Sequence, residues 1–340
     1  MNYIAMDLFA GVGGLTAGMH SAGFSTKVAV ELEDDAVNGF KLNFPETEVI
    51  QKDIREVETK EIKDKLKGER LHLLAGCPPC QGFSSMRRLN KEGVFQDDRN
   101  NLVEEYFRMV KELMPYTIMM ENVPGLKDYD LFQEILQRLD ELGYNQKVDI
   151  VNVKDYGVPQ SRRRLIMVGS LLSELNIAKG KGNKVTVRHK IEGLPTPEEA
   201  EDEMQKIVAK HSERIMERIR LTPKNGGSWK DLPEEYILEC HKRENVGFND
   251  IYGRLRWDDY STTITGGCLN PSKGRFLHPE QDRVITPREA ALLQSFPLDY
   301  KFPTDISKSS LALLIGNALP PEFSRIQSEN IAKHLQEHLG

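Results

Sequence analysis

The sequence predicts an α/β fold, a mostly parallel sheet with helices on both faces, joined to a second, smaller domain. From residue 1 to about 170, apolar strand-like runs alternate with helical patterns, as a parallel sheet with crossover helices requires. The first run, Tyr3 to Phe9, enters Gly11-Val12-Gly13-Gly14, after which Leu15 to Ala22 can form a helix. That is the strand, glycine turn and helix order of a nucleotide-type crevice. At 171–184 the character shifts to Lys-Gly-Lys-Gly-Asn-Lys and the alternation ends, which marks a domain boundary.

The strand candidates are residues 3–9, 27–31, 71–75, 117–121, 147–153 and 164–169. Between them, the clearest helical patterns are 101–114, with Leu102, Val103, Tyr106, Phe107, Val110, Leu113 and Met114, and 131–142, with Leu131, Ile135, Leu136, Leu139 and Leu142. Both apolar stripes are read as core. Residues 185–310 are rich in turn signals, among them Gly193, Pro195, Pro197, Asn225-Gly226-Gly227, Gly266-Gly267 and Asn270-Pro271, so an irregular domain is expected there. A last helix is expected over 321–338, after Pro320-Pro321.

At 340 residues the chain has room for one large domain, or a large and a small one. Its 39% apolar and 29% charged content is ordinary for a soluble globular protein. No apolar run approaches the ~20 residues of a membrane span, and the first residues lack a signal-peptide pattern, so a cytoplasmic location is expected. The 4 cysteines, at 77, 80, 240 and 268, are too unevenly placed for a disulfide framework. Cys77 and Cys80 form a C-x-x-C, but Cys240 and Cys268 do not supply the other half of a zinc site, so no metal is expected. The net charge of −6 argues against generic polyanion binding. Basic clusters at Arg87-Arg88 with Lys91, at Arg162-Arg163-Arg164 and from Lys181 to Lys190 leave room for a basic cleft, although each alone reads as solvated surface.

The motifs that carry chemistry lie at expected strand ends. In the glycine turn, Thr16 stands where a third glycine of the dinucleotide fingerprint would be, so the turn suits a nucleoside without a diphosphate. Val28-Ala29-Val30 ends at Glu31, an acid placed to accept hydrogen bonds from ribose hydroxyls. Gly76-Cys77-Pro78-Pro79-Cys80-Gln81-Gly82-Phe83-Ser84 puts a thiol behind two prolines that fix the backbone direction. Glu121 ends another strand at the same edge. A thiolate adding to one ring carbon while an acid protonates a ring nitrogen makes the neighbouring carbon nucleophilic, covalent catalysis suited to pyrimidines. Read singly, Cys80 is a buried structural cysteine and Glu121 a capped strand end; the pairing with a nucleoside-type site favours the functional reading. Gln160-Ser161-Arg162-Arg163-Arg164 leads into a strand, and alternation along an extended segment predicts that Arg162 and Arg164 point the same way.

Taken in order, these motifs resemble the DNA (cytosine-5)-methyltransferases over most of the chain. Asp7-Leu8-Phe9-Ala10-Gly11-Val12-Gly13-Gly14 resembles the family's S-adenosylmethionine loop, Glu31 its ribose-binding acid, and Gln51-Lys52-Asp53-Ile54 the segment that touches the adenine. Gly76 to Ser84 resembles the nucleophile motif with Cys80 in the attacking position, Glu121-Asn122-Val123 the segment whose acid contacts N3 of the flipped cytosine, and Gln160 to Arg164 the Gln-x-Arg-x-Arg element. Thr286 to Pro297 resembles the segment that organises the target-recognition domain, and Gly316-Asn317-Ala318-Leu319-Pro320-Pro321 the last motif, which completes the cofactor pocket. Two features depart from the common pattern: Leu32 stands where many members place an aromatic against the adenine, and Lys52 replaces a frequent glycine.

The resemblance implies a Rossmann-like S-adenosylmethionine-dependent methyltransferase fold. Residues 1–172 would form the catalytic and cofactor-binding domain, completed by 313–340, and 173–312 the smaller domain with the target-recognition region. It implies catalytic roles for Cys80, Glu121, Arg162 and Arg164, and cofactor contacts from Asp7, Phe9, Gly11, Gly13, Gly14, Glu31, Leu32, Asp53, Ile54 and Asn317. The implied reaction moves a methyl group from S-adenosylmethionine, leaving S-adenosylhomocysteine, to C5 of a flipped cytosine in a short double-stranded DNA sequence. Residues 84–100 would close over the DNA. A cognate restriction endonuclease is the implied partner, in a bacterial-type cytoplasm with nucleoid association. Lys224, Asn225, Arg254 and Arg256 are candidate DNA contacts, though each reads more readily as a phosphate contact or surface residue. A tRNA cytosine methyltransferase, a DNA-binding regulator without catalysis and a nicotinamide-dependent dehydrogenase are the competing readings; the intact motifs and Thr16 disfavour the last two.

Overall fold

A computed structural model describes residues 3–79, 102–242 and 250–340. The chain divides into two compact units, one formed by 1–156, 163–181 and 319–340, the other by 157–162 and 182–318.

The first unit is built on a seven-stranded sheet: β1 Tyr3–Leu8, β2 Phe24–Glu31, β3 Glu48–Gln51, β4 Leu73–Gly76, β5 Thr117–Asn122, β6 Asn145–Asn152 and β7 Arg163–Ser170. Its order is β3-β2-β1-β4-β5-β7-β6. The first five strands pair in parallel, and β7 runs antiparallel to both β5 and β6. Successive strands step outward from β1 to β2 and β3 on one side, and from β4 to β5 on the other. The reversal falls between β1 and β4, the place where open α/β sheets form a ligand crevice beyond their carboxyl ends.

Strand β3 was not anticipated from sequence. It is short, reads Glu-Val-Ile-Gln, and buries fully only Ile50, so neither a continuous apolar run nor a clean alternation marks it. The central strands are the opposite case: β1, β4 and β5 are buried at every position, as strands covered on both faces should be.

The helices of this unit are α1 Gly14–Ser21, α2 Asp34–Asn43, α3 Thr59–Leu66, α4 Leu102–Leu113, α5 Asp130–Glu141 and a last helix, Pro321–Leu339. The two apolar stripes read from sequence reach the core, where Tyr106, Phe107 and Val110 of α4 and Ile135 and Leu139 of α5 pack against Met6, Leu8, Leu74, Ile118 and Met120 of the strands. α1 lies against the last helix, and Ser324 Oγ donates to the Leu15 carbonyl at 2.7 Å. The approach is so close that a Cβ at Gly18 would fall on Ser324 Cβ and Oγ.

The second unit has no long strand among its described residues. It contains the short helices Val187–Ile191, Glu203–Lys206, Glu213–Leu221, Pro287–Leu293 and Lys308–Asn317. Buried polar networks hold it together. Arg254 is wholly buried and donates to the carbonyls of Ile219, Thr222, His278 and Gln281 and to Asp282. Helix Pro287–Leu293 starts with a capping box between Thr286 and Glu289, and Glu289 also pairs with Arg283 at 2.6 Å.

Replacing Gly18 by alanine should destabilise the first unit by about 1–3 kcal/mol through forced separation of the two helices, although alanine favours an isolated helix by about 1 kcal/mol. Urea unfolding checks this; an unchanged midpoint would show that the helices separate without cost.

Candidate active site

The crevice is lined first by the turn after β1. Phe9 has φ 59° and Gly11 and Gly13 have φ 55° and 91°, so three of five consecutive residues take the left-handed conformation. Glycine adopts it freely, whereas for Phe9 it is strained. Nothing lies within 4 Å of where a Cβ at Gly11 would be, which leaves the backbone open for close approach. Gly13 caps α1 in place of a side chain, and Gly14 begins the helix.

Glu31 ends β2 and ties this turn to the next one. Its Oε2 accepts from the Gly11 N–H at 2.7 Å, and its Oε1 accepts from Leu32 N–H at 2.7 Å and Glu33 N–H at 3.0 Å. The acid expected to meet a ribose therefore also fixes the glycine turn. Leu32 is 52% exposed, an apolar side chain presented beside that carboxylate. Beyond β3, Asp53 caps a short 3₁₀ turn and forms an ion pair with Arg55, whose hydrogen bonds hold its carboxyl below the usual range. Ile54 is buried in the main core.

Asp7 is wholly buried in β1. Its Oδ2 accepts from Thr16 Oγ at 2.6 Å, and its Oδ1 has no hydrogen-bond partner. Burial, opposed by the Thr16 bond and reinforced by the charge of Glu31, pushes its carboxyl up to about 7. Thr16, notable in sequence only as a missing glycine, thus serves the strand it faces.

A second group of residues comes from the ends of β4, β5 and β7. At the end of β4, Gly76 lies so close to β1 that a Cβ would be 2.9 Å from the Leu8 carbonyl oxygen, and the Cys77 N–H donates to that carbonyl at 3.2 Å. Cys80, like the proposed closing segment 84–100, lies outside the described residues. Glu121 is 8% exposed, and Arg164 Nε lies 2.7 Å from its Oε1. The pairing follows from strand register. Glu121 stands opposite Ile166, and Arg164, two positions earlier on β7, shares that face and is a diagonal neighbour. Because β7 is antiparallel, its beginning sits at the carboxyl ends of the parallel strands.

Arg162 and Arg164, expected to point the same way, have separate partners. Arg162 precedes β7 and belongs to the second unit, where its guanidinium donates to the Ile264 and Gly316 carbonyls, each at 2.9 Å. The neighbouring Gln160, not singled out from sequence, is wholly buried. It accepts from the Ile264 N–H at 2.7 Å and donates to Gln294 Oε1 at 2.6 Å, and Gln294 donates to the Ile315 carbonyl at 2.7 Å. Both arginine and glutamines thereby hold the end of helix Lys308–Asn317, on which Asn317 is exposed. The signal available in sequence was the position of Gln160 and Gln294 inside two recognisable motifs; their partnership needed the fold.

Of the four candidate DNA contacts, the structure removes Arg254, whose guanidinium is buried and fully engaged. Asn225 accepts from the Trp257 N–H, and Lys224 pairs with Asp282. Arg256 is exposed, with a long 4.0 Å contact to Asp259.

Comparison with known proteins accords with this geometry. A profile of C-5 cytosine-specific DNA methylases matches residues 3–334, and the chain belongs to that family. It is a DNA (cytosine-5)-methyltransferase on a Rossmann-like methyltransferase fold. It is 34% identical to the type II methylase M.HgiDII of Herpetosiphon aurantiacus, covering 97% of this chain and 95% of that one. It is 31% identical to the type II methyltransferase M1.HphI of Haemophilus parahaemolyticus, covering 98% and 87%. A crystal structure described as a DNA modification methyltransferase encoded within an E. coli prophage superposes with a TM-score of 0.76 at 26% identity, covering 98% of this chain and 100% of that one. No helix among the described residues is long and apolar enough to cross a membrane.

The Asp7 carboxyl sets a pH dependence. Its pKa is raised from 3.8 to about 7 on folding, so the unfolded chain loses this proton first. Its contribution is fully present below about pH 4 and is lost as pH rises to about 7. Asp7→Asn should therefore flatten the stability profile between pH 4 and 7 and stabilise the protein at pH 8 by up to about 4 kcal/mol. Urea titrations across that range check it; parallel profiles for both proteins would show that Asp7 ionises normally.

Proposed function

We propose that this protein methylates C5 of a flipped-out cytosine within a specific short double-stranded DNA sequence, as the modification enzyme paired with a restriction endonuclease. The observation that carries this reading is the Glu121–Arg164 pair beside the end of β4, from which Gly76 to Pro79 leads to Cys80. The names of the type II relatives support the restriction-modification setting.

Extrusion of the base costs a few kcal/mol in stacking and pairing. Cys80, as thiolate, adds to C6 of the cytosine while Glu121 supports protonation at N3, which makes C5 nucleophilic. Arg164 holds the Glu121 carboxyl by an ion pair at 2.7 Å. Once C5 carries the methyl group, loss of the C5 proton expels the Cys80 thiolate and restores the enzyme. Arg162 and Arg164 would hold the base and the adjacent backbone, and the Arg162 guanidinium also donates to the Ile264 and Gly316 carbonyls.

The residues of the first unit fit S-adenosylmethionine. An open glycine turn, an acid at the end of β2, an exposed apolar Leu32 and the unpartnered Asp7 Oδ1 match the needs of a cationic nucleoside. Gly11, Gly13, Gly14, Phe9 and Asp7 would face its amino-acid part, Glu31 its ribose, and Leu32 and Asp53 its adenine. Ile54 would support this wall from the core. When bound, the cofactor supplies an electrophilic methyl group on a sulfonium.

Methylation sequencing of plasmid DNA from cells carrying the wild-type chain or Cys80→Ala should show methylated cytosines in one short motif with wild type alone. Methylation by the variant would remove Cys80 as nucleophile, and an unmethylated plasmid in both cases would turn attention to RNA. Glu31→Ala should weaken S-adenosylmethionine binding by 10-fold or more, about 1.4 kcal/mol, with little change in DNA affinity. Calorimetry showing the reverse would count against the ribose role.

A further inference from the structure

We propose that Asn122 is a positioning residue for the nucleophile, because its buried carboxamide holds the Pro78 carbonyl two residues before Cys80. The inference rests on Cys80 acting as the nucleophile and adds the means by which its backbone is aimed.

Asn122 is the last residue of β5 and is 3% exposed. Its Nδ2 donates to the Pro78 carbonyl at 2.9 Å, and its Oδ1 accepts from the Val123 N–H at 2.8 Å. Pro78 and Pro79 have no amide hydrogen, so this stretch can be tied only through its carbonyls or the residues flanking it. The flanking tie is the Cys77 N–H to the Leu8 carbonyl at 3.2 Å. The backbone is thus held from β1 at Cys77 and from β5 at Pro78, one residue apart. The second tie comes from the covalent neighbour of Glu121. β5 therefore supplies both the acid and the anchor for the chain leading to the thiol, so one strand end governs both catalytic groups. The Val123 bond fixes which way the carboxamide faces, because an N–H requires the oxygen and leaves the Nδ2 hydrogens for Pro78.

Asn122→Asp separates this role from simple packing. The new carboxyl keeps an oxygen for the Val123 N–H and loses the donor to Pro78 while it is ionised. When protonated, it regains an O–H that can donate to that carbonyl. The experiment measures the rate at which the full-length protein, with S-adenosylmethionine, is covalently captured by duplex DNA carrying 5-fluorocytosine at the methylated position. It is run from pH 5.5 to 8.5, with duplex affinity and melting temperature measured alongside. Asn122→Ser, too short to reach Pro78, and Cys80→Ala are the comparisons.

At pH 8, Asn122→Asp should be captured about 10²-fold more slowly than wild type, the scale of a 1 Å misplacement, with duplex affinity within about 2-fold. Relative to wild type, its rate should recover as the pH falls, whereas that of Asn122→Ser should stay low. Capture of Asn122→Asp at the wild-type rate, or a loss that follows melting temperature and is indifferent to pH, would overturn the proposal. Wild type captured no better than Cys80→Ala would remove the nucleophile assignment and the positioning role with it.

Discussion

The antiparallel course of β7 is the constraint on which the Glu121–Arg164 pair depends, because a strand inserted in that direction brings its beginning to the carboxyl ends of β4 and β5. Had β7 run parallel, Arg164 would lie at the far edge of the sheet, and Glu121 would be a nearly buried carboxylate without a counter-ion. Such a group is costly. The register of β5 with β7 makes the ion pair, and the pair fixes the acid. The same strand end then carries Asn122, so Glu121 and the tie to the Pro78 carbonyl share one strand.

Around the glycine turn the governing interaction is the Glu31 carboxylate, which accepts from Gly11, Leu32 and Glu33. It stabilises an otherwise strained turn that includes Phe9 in the left-handed region. Both halves of the site meet at β1, whose carboxyl end feeds the turn and whose Leu8 carbonyl anchors Cys77. The reversal of strand order at this point is what allows the glycine turn and the segment that starts at Cys77 to share an edge.

The second unit solves a different problem. With little regular sheet or helix, it satisfies backbone carbonyls with buried guanidinium groups, Arg254 above all. Arg162 and Gln294 do the same for the end of helix Lys308–Asn317. Arginine suits this role because its planar fork serves several acceptors at once. An arginine that looks available for DNA in sequence can therefore be wholly engaged in holding loops together.

By itself the sequence determined the alternating strands and helices, the glycine turn, and the placement of Glu31 and Glu121 at strand ends, because periodicity and local turn chemistry are properties of neighbouring residues. The ordered motifs were likewise legible, and with them the family. Tertiary structure alone decided which groups meet: Arg164 with Glu121, Asn122 with Pro78, Thr16 with Asp7, and Arg254 with four backbone carbonyls. It also revealed β3, too short and too polar to signal itself, and separated Arg162 from Arg164. Each of these depends on strand direction, register or burial, which are set by contacts between segments distant in sequence and leave no local periodic trace.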